Sequence, residues 1–297
     1  GARLSLNQDG SVQLMLGATE LGQGADTVFS QMVAETLHTD MEHVHIMSTQ
    51  DTDISPFDTG AYASRQSFVT GTAVRHCAEI LRDKILAYAK TLLPEIDTTE
   101  LELRDNWIWA GKERAISLAA LAEESYYSLT NSSVLTAEVS EQVKKNTIAT
   151  GCCFAEVEVD MKLGKIKVLH IINVHDSGKL INPQLAEMQV QGGMSMGMGY
   201  GISEQLILDE KTGRPLNGNL LDYKMMTMLD TPEIKVDFVE LNDPIGPYGN
   251  KALGEPPAIP CAPAIRNAVL NATGIAFNEN PLTPQRLIDG FQKAGLI

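Results

Sequence analysis

The chain has 297 residues, 43% of them hydrophobic, and carries 38 acidic against 23 basic residues for a formal net charge of -15. That apolar content supports a large core spread over two α/β lobes and excludes a disordered chain. Scattered acidic residues repel phosphate backbones, which argues against nucleic acid as a partner, and no run of about 18 apolar residues announces a membrane span.

A hairpin signal opens the chain: Leu4 to Leu6, the turn Asp9-Gly10, then Val12 to Leu16. A glycine-rich turn, Gly17 to Gly24, runs into an amphipathic helix predicted over about 25–37, with Val28, Phe29, Met32, Val33 and Leu37 on one face. Residues His43 to Ser48 read as a strand, followed by a polar loop from Thr49 to about Arg65. A long helix is expected from about Gln66 to Leu93, with Pro94 stopping it. The stretch Leu101 to Ile116 alternates like a hairpin, and Ser117 can cap a short helix through about Tyr127. A second hairpin pairs Ala155 to Asp160 with Ile166 to Val174 around Gly164-Lys165, and its alternation implies a half-exposed sheet.

Asn182-Pro183 starts a helix to about Gly201 that carries Gly192, Gly193, Gly197 and Gly199. Glycines at that density cost about 1 kcal/mol each relative to alanine, so a close approach by a helix or a ligand is expected in return. Further on come a strand at 234–241, the loop 242–260, a helix over about 262–273, and a tail containing Pro281-Leu-Thr-Pro-Gln-Arg. The pattern is α+β in two lobes, divided as 1–140 and 141–297, with no internal repeat of fixed period.

The four cysteines, Cys77, Cys152, Cys153 and Cys261, form no Cys-x-x-Cys pair, so no zinc ribbon or iron–sulfur cluster is expected within this chain and a reducing, cytoplasmic setting is the simpler reading. The six histidines include no His-x-x-x-His pair, so no metal site made directly from local protein ligands is expected. No signal peptide is visible at the start. The chain begins at Gly1 rather than Met, which leads us to expect a further piece ahead of it.

Four segments carry chemistry. In Lys251-Ala-Leu-Gly-Glu-Pro-Pro257, Glu255 stands between a glycine and two prolines, in a loop stiff on one side. Such a carboxylate is a candidate general base, although Gly-Glu-Pro also occurs in plain turns. Lys251 can tune Glu255 or pair at the surface, and tuning is the favoured reading. Gly17-Ala-Thr-Glu-Leu-Gly22-Gln23-Gly24 lies ahead of a helix N-terminus, where free N–H groups can cradle an anion. It is neither a dinucleotide fingerprint nor a P-loop, and Gln23 offers donor and acceptor together; a simple helix-capping turn is the other reading. Ser64-Arg65-Gln66-Ser67, again at a helix start, suits a pyrophosphate or an ordinary cap with a surface arginine. Gln189 precedes the small-residue helix, where a solvated side chain is the default.

Taken in order, these segments resemble the molybdenum hydroxylase family, the xanthine dehydrogenase and aldehyde oxidoreductase group, in the C-terminal half of its molybdopterin-binding subunit. The resemblance rests on Gly-x-x-Glu-x-Gly-Gln-Gly at 17–24, Ser64 to Ser67 with Gly71, Asp176-x-Gly178 with Asn182-Pro183, Gln189-x-x-Gly192, Gly254-Glu255-Pro256-Pro257 and Pro281-Leu-Thr-Pro, and it spans nearly the whole chain.

The resemblance implies a molybdopterin cofactor, as the cytosine dinucleotide, bearing molybdenum with a terminal sulfido or selenido ligand and no ligand from the protein. By resemblance, Gly22, Gln23, Gly24 and Gln189 hold the pterin region, Ser64, Arg65, Gln66 and Ser67 hold the phosphate end, and Tyr62 and Ala63 approach the substrate. Glu255 would take the proton from the metal's hydroxyl ligand.

The family's Gly-Gly-Phe-Gly loop and substrate-facing arginine are absent here, so a partner subunit or domain is expected to carry the first half of the site, as in the divided nicotinate dehydrogenases of anaerobes. An iron–sulfur subunit carrying [2Fe-2S] and an FAD subunit complete the implied enzyme. Its substrate would be a small heteroaromatic compound, nicotinate first and a purine such as xanthine next. An aldehyde oxidoreductase, a carbon monoxide dehydrogenase and a non-catalytic cofactor-binding partner are the alternatives.

Overall fold

The computed structural model describes residues 1–47 and 51–297, and it divides into two compact units, one of residues 1–147 with 243–250 and one of residues 148–242 with 251–297. The predicted strand end at Ser48 and the loop start at Thr49 lie outside the described residues.

In the first unit, β1 (Ala2–Leu6) and β2 (Val12–Leu16) form the expected antiparallel hairpin, each with alternate side chains buried. Helix α1 (Ala25–Leu37) crosses over to β3 (Val44–Met47), which lies parallel to β2, and β7 (Thr136–Val139) closes the other edge against β1. Helix α2 (Gly71–Leu92), entered through a π-helical turn over Gln66–Thr70, buries Ala73, Val74, Cys77, Ala78, Leu81 and Ile85. These residues recur at three- and four-residue intervals, which puts one apolar stripe of α2 into the core with the buried face of α1.

The stretch read as a hairpin is a three-stranded meander: β4 (Leu101–Arg104), β5 (Trp107–Ala110) and β6 (Glu113–Ser117). Asp105 and Asn106 make the first turn with positive φ, which short polar side chains tolerate, and Gly111 makes the second. Ser117 caps α3 (Leu118–Tyr127) by accepting the Ala120 N–H at 3.2 Å.

The second unit repeats the plan of hairpin, crossover helix and parallel strand. Strands β8 (Thr150–Asp160) and β9 (Lys165–Asp176) pair antiparallel, α4 (Pro183–Ile202) crosses over, and β10 (Glu233–Phe238) lies parallel to β9. Asn182 caps α4 by accepting the Leu185 N–H at 3.0 Å. One sheet face packs on α4 and α5 (Cys261–Thr273) through Val168, Ile171, Val190, Met194, Met198, Cys261 and Ile265, while alternate residues of β8 face outward.

The tail read after Pro281 is instead a helix, α6 (Pro284–Lys293), capped by Thr283, and its Leu287 and Phe291 pack with Val269 and Leu282. Residues 243–250, far along the chain, group with the first unit. There the Tyr248 hydroxyl donates to Met32 O at 2.8 Å and Asn250 Nδ2 donates to Ser67 O at 3.2 Å. Among the described residues, no helix is long and apolar enough to cross a membrane, and no group of three or more His, Cys, Asp or Glu side chains is placed to hold a metal ion.

Candidate functional site

Each unit carries its own set of the predicted residues. In the first, the turn ahead of α1 is organised by Glu20. Its carboxylate accepts the N–H groups of Gly22 at 2.7 Å, Gly24 at 3.1 Å and Asp26 at 3.0 Å. Burial pushes the Glu20 carboxyl up, but these backbone donors outweigh it and hold the group below its ordinary range. The anion at this helix start is therefore the protein's own carboxylate. The Gly22 and Gly24 N–H groups are satisfied by Glu20.

Gln23 is locked within the same turn. Its Oε1 accepts the Leu21 N–H at 2.6 Å, and its Nε2 donates to Thr19 O at 2.9 Å and to Gln66 Oε1 at 2.6 Å. Gln66 Nε2 donates to Thr19 O at 3.0 Å. The structure thus brings Gln23 and Gln66 together, two amides from segments 43 residues apart, and fixes the orientation of both. Gln23 Oε1 keeps one lone pair for an incoming donor.

Arg65 is committed elsewhere. Its Nη1 lies 2.6 Å from Asp58 Oδ1, with the Asp58 side chain only 2% exposed, and also donates to Gly60 O at 3.1 Å. Nη1 of the guanidinium is thus engaged by a buried carboxylate. Ala63 and Ser64 both adopt left-handed backbone, φ 51° and 53°, a conformation costing roughly 1 kcal/mol or more per non-glycine residue. This tight turn presents Tyr62 and Ala63 outward, with Ser64 and Ser67 partly covered, just ahead of a helix whose first N–H groups have no intrahelical acceptor.

In the second unit, Glu255 is exposed on the loop between β10 and α5. Pro256 and Pro257 lack N–H groups, so this loop can be pinned only through its carbonyls and flanks. Three of its carbonyls are held. Gln189 Nε2 donates to Gly254 O at 3.0 Å, Ala258 N donates to Glu255 O at 3.1 Å, and Asn173 Nδ2 donates to Pro257 O at 3.0 Å. The Cys261 thiol adds a weaker contact to Pro257 O at 3.3 Å.

The glycines of α4 explain how close the loop lies. A Cβ on Gly193 would sit 2.7 Å from Pro257 Cβ, and one on Gly197 would sit 2.5 Å from Ala258 O and 2.8 Å from Cys261 Cβ. Gly201, one further turn along, faces Ala262. The expected close approach is thus by the Glu255 loop and the start of α5.

Lys251 pairs with a nearly buried carboxylate. Its backbone N donates to Ser177 O at 2.7 Å and its Nζ lies 2.6 Å from Asp176 Oδ2, with the two side chains 11% and 10% exposed. Burial pushes the Asp176 carboxyl up; the Lys251 hydrogen bond and charge, with the Gly178 N–H, outweigh it and hold it low. Lys251 therefore anchors the start of the loop to the end of β9.

Sequence reasoning missed Asn173 and His175, and gave Asp176 only as a motif position. Asn173 is 0% exposed and His175 1%, both on the face of β9 that carries Ile171. The available signal was a polar residue recurring with period two along a face otherwise apolar. Among the described residues, neither His175 ring nitrogen has a hydrogen-bond partner, and burial pushes its pKa down, favouring the neutral ring.

Comparison with known proteins gives the chain its relatives. A model of the molybdopterin cofactor-binding domain matches residues 1–232. The putative xanthine dehydrogenase molybdenum-binding subunit of Escherichia coli (strain K12) is 50% identical over 299 residues, covering 100% of this chain and 40% of that protein. Among solved structures, a Cu,Mo-CO dehydrogenase matches with a TM-score of 0.90 at 26% identity, covering 99% of this chain and 38% of that one. Quinoline 2-oxidoreductase from Pseudomonas putida 86 matches with a TM-score of 0.86 at 27% identity, over 98% of this chain and 38% of that one. The chain thus spans about two fifths of the length of its relatives. It belongs to the molybdenum hydroxylase family, within the molybdopterin cofactor-binding part.

Proposed function

We propose that this chain forms part of the molybdopterin site of an enzyme that hydroxylates an N-heteroaromatic ring, a purine of the xanthine type, with Glu255 as the general base. The observation that carries the reading is the Glu255 loop: an exposed carboxylate on a backbone fastened at Lys251, Gly254, Glu255 and Pro257. A base must lie within hydrogen-bond reach of the proton it takes, and a fastened loop supplies that placement without ordering it anew in each turnover.

The residues present fit the cofactor in part. Gln23 and Gln189 offer pre-oriented amides for the pterin region, in the turn at Gly22 to Gly24 and on α4. The helix start at Gln66 and Ser67, with Gln66 held by Thr19, would face the phosphate end of a cytosine dinucleotide, near Ser64, while Arg65 stabilises that turn through Asp58. Tyr62 and Ala63 would shape the substrate pocket. The molybdenum cofactor, with its sulfido or selenido ligand, supplies the two-electron oxidation by which water replaces C–H with C–OH. Glu255 takes up a proton at a carboxylate oxygen, and the rest of the loop holds that oxygen in place.

Both units serve as molybdopterin-binding lobes in this reading. The remaining three fifths of a relative's length would come from a partner domain or subunit, and [2Fe-2S] and FAD partners would carry electrons away. The free thiols suit a reducing cytoplasm. The 50% identity to a xanthine dehydrogenase subunit favours a purine over nicotinate as the substrate.

The test is Glu255→Gln in the assembled, molybdenum-loaded enzyme, assayed with xanthine, hypoxanthine, nicotinate and an aromatic aldehyde. Turnover should fall by about 10³-fold or more with molybdenum content unchanged. Near-normal activity would remove Glu255 as the base, and oxidation of the aldehyde alone would remove the heteroaromatic substrate class.

A further inference from the structure

We infer that Asn173 is a positioning residue for Glu255, fixing the catalytic loop from the sheet side while Gln189 fixes it from α4; the inference rests on Glu255 being the base. Asn173 lies wholly buried on β9, two residues beyond Ile171 and against Cys261, both of which belong to the apolar cluster with Val190, Met194, Met198 and Ile265. An amide in such a place is costly unless both its ends are satisfied. Here only one end is: Nδ2 donates to Pro257 O at 3.0 Å, and among the described residues Oδ1 has no partner. A leucine would suit this cluster better on stability grounds alone. The amide grips the carbonyl of Pro257, with a weaker 4.0 Å contact to Cys261 Sγ, and leucine would make neither bond.

That grip matters because of the prolines. Between Glu255 and Ala258 the backbone has no N–H to offer, so the position of this stretch depends on what its carbonyls accept. Gly254 O and Pro257 O flank Glu255 at one residue before and two after, and each is held by a side-chain amide from a different element. The Cys261 thiol at 3.3 Å is the second donor to Pro257 O, and a thiol is too weak to replace an amide. On the other side the loop lies against Gly193, where even a Cβ on the helix would collide with Pro257. Removing the Asn173 donor therefore frees the loop to pivot about Gly254, moving the carboxylate while leaving the fold in place. Misplacement by about 1 Å costs on the order of 10²-fold in rate.

The experiment is a double-mutant cycle in the assembled, molybdenum-loaded enzyme: wild type, Asn173→Leu, Glu255→Gln and the pair, read as the anaerobic single-turnover rate with xanthine, or with whichever compound of the panel above is oxidised. Asn173→Leu should slow the wild-type background about 10- to 100-fold with little change in substrate dissociation constant, and should slow the Glu255→Gln background by no more than about twofold. Equal slowing in both backgrounds, or none in the wild type, overturns the inference while leaving the base in place. A Glu255→Gln enzyme with wild-type rate is a different failure, that of the base itself. Asn173→Ser, which keeps the site polar and smaller, should slow the reaction in the same direction. Loss of molybdenum or of assembly in both variants would mark Asn173 as structural and also overturn the inference.

Discussion

Gly197→Ala and Gly192→Ala are the same chemical change on the same helix, and the structure predicts opposite signs for them. On helix propensity alone each should stabilise α4 by about 1 kcal/mol. A Cβ at Gly192 meets nothing within 4 Å, so roughly 0.5–1 kcal/mol of that gain should appear. At Gly197 the new methyl would lie 2.5 Å from Ala258 O and 2.8 Å from Cys261 Cβ. Neither atom is the end of a flexible side chain; both belong to the chain segment that runs from Glu255 into α5. Relief requires moving that segment, and overpacking of this kind costs about 1–3 kcal/mol. The two variants should therefore differ by about 1–3 kcal/mol, or roughly 3–10 °C in the unfolding midpoint for a domain of this size. Thermal unfolding followed by circular dichroism measures the difference directly. Equal midpoints for Gly192→Ala and Gly197→Ala would refute the claim that the glycine row exists to admit the Glu255 loop.

Two further outcomes follow from the buried polar groups of the second unit. Lys251→Met should destabilise by about 3–5 kcal/mol, because it strands the Asp176 carboxylate in a site where both partners are nearly buried, whereas Lys251→Met with Asp176→Leu should recover most of the loss; a single variant as stable as wild type in denaturant titration would contradict the burial of this pair. His175 is a base whose folded pKa lies below its unfolded value near 6.5, so its contribution is fully present above that value and is lost as pH falls from there toward the folded pKa. His175→Leu should accordingly flatten the fall in unfolding midpoint between about pH 6.5 and pH 5, by at most about 1.4 kcal/mol per pH unit, and an unchanged slope would show that the ring does not stay neutral in the fold.

The elements were largely legible because their signals are local. Asn182-Pro183 and Ser117 announce helix starts through caps that need only the next three residues, and the alternation at 155–174 reports a sheet with one face in solvent. What the sequence hid was set by distant partners. The return of residues 243–250 to the first unit depends on Tyr248 reaching Met32 and Asn250 reaching Ser67, across more than 180 residues, and nothing within the loop signals either. Helix α6 was masked by the Pro-rich approach at 281–284, although Leu287 and Phe291, four apart, carry the helical period.

For the site, residue type and availability turned out to be separate questions. Arg65 and the Gly22 and Gly24 N–H groups have the chemistry to hold a phosphate, and the sequence suggests that use of them. In the structure Asp58 engages Arg65 Nη1 and Glu20 accepts the Gly22, Gly24 and Asp26 N–H groups, so a phosphate at either place would compete with a carboxylate already there. Lys251 follows the same logic in pairing with Asp176. The polar groups expected to act directly on a ligand thus serve, in three cases out of the set, to hold the turns from which others act. Each unit keeps its own oriented groups: Gln23 and Gln66 in the first, and Glu255 on its fastened loop in the second. Chemistry at this site is therefore a matter of which groups the fold has already satisfied, and Glu255 is placed by amides on both flanks of a proline pair that could not place it alone.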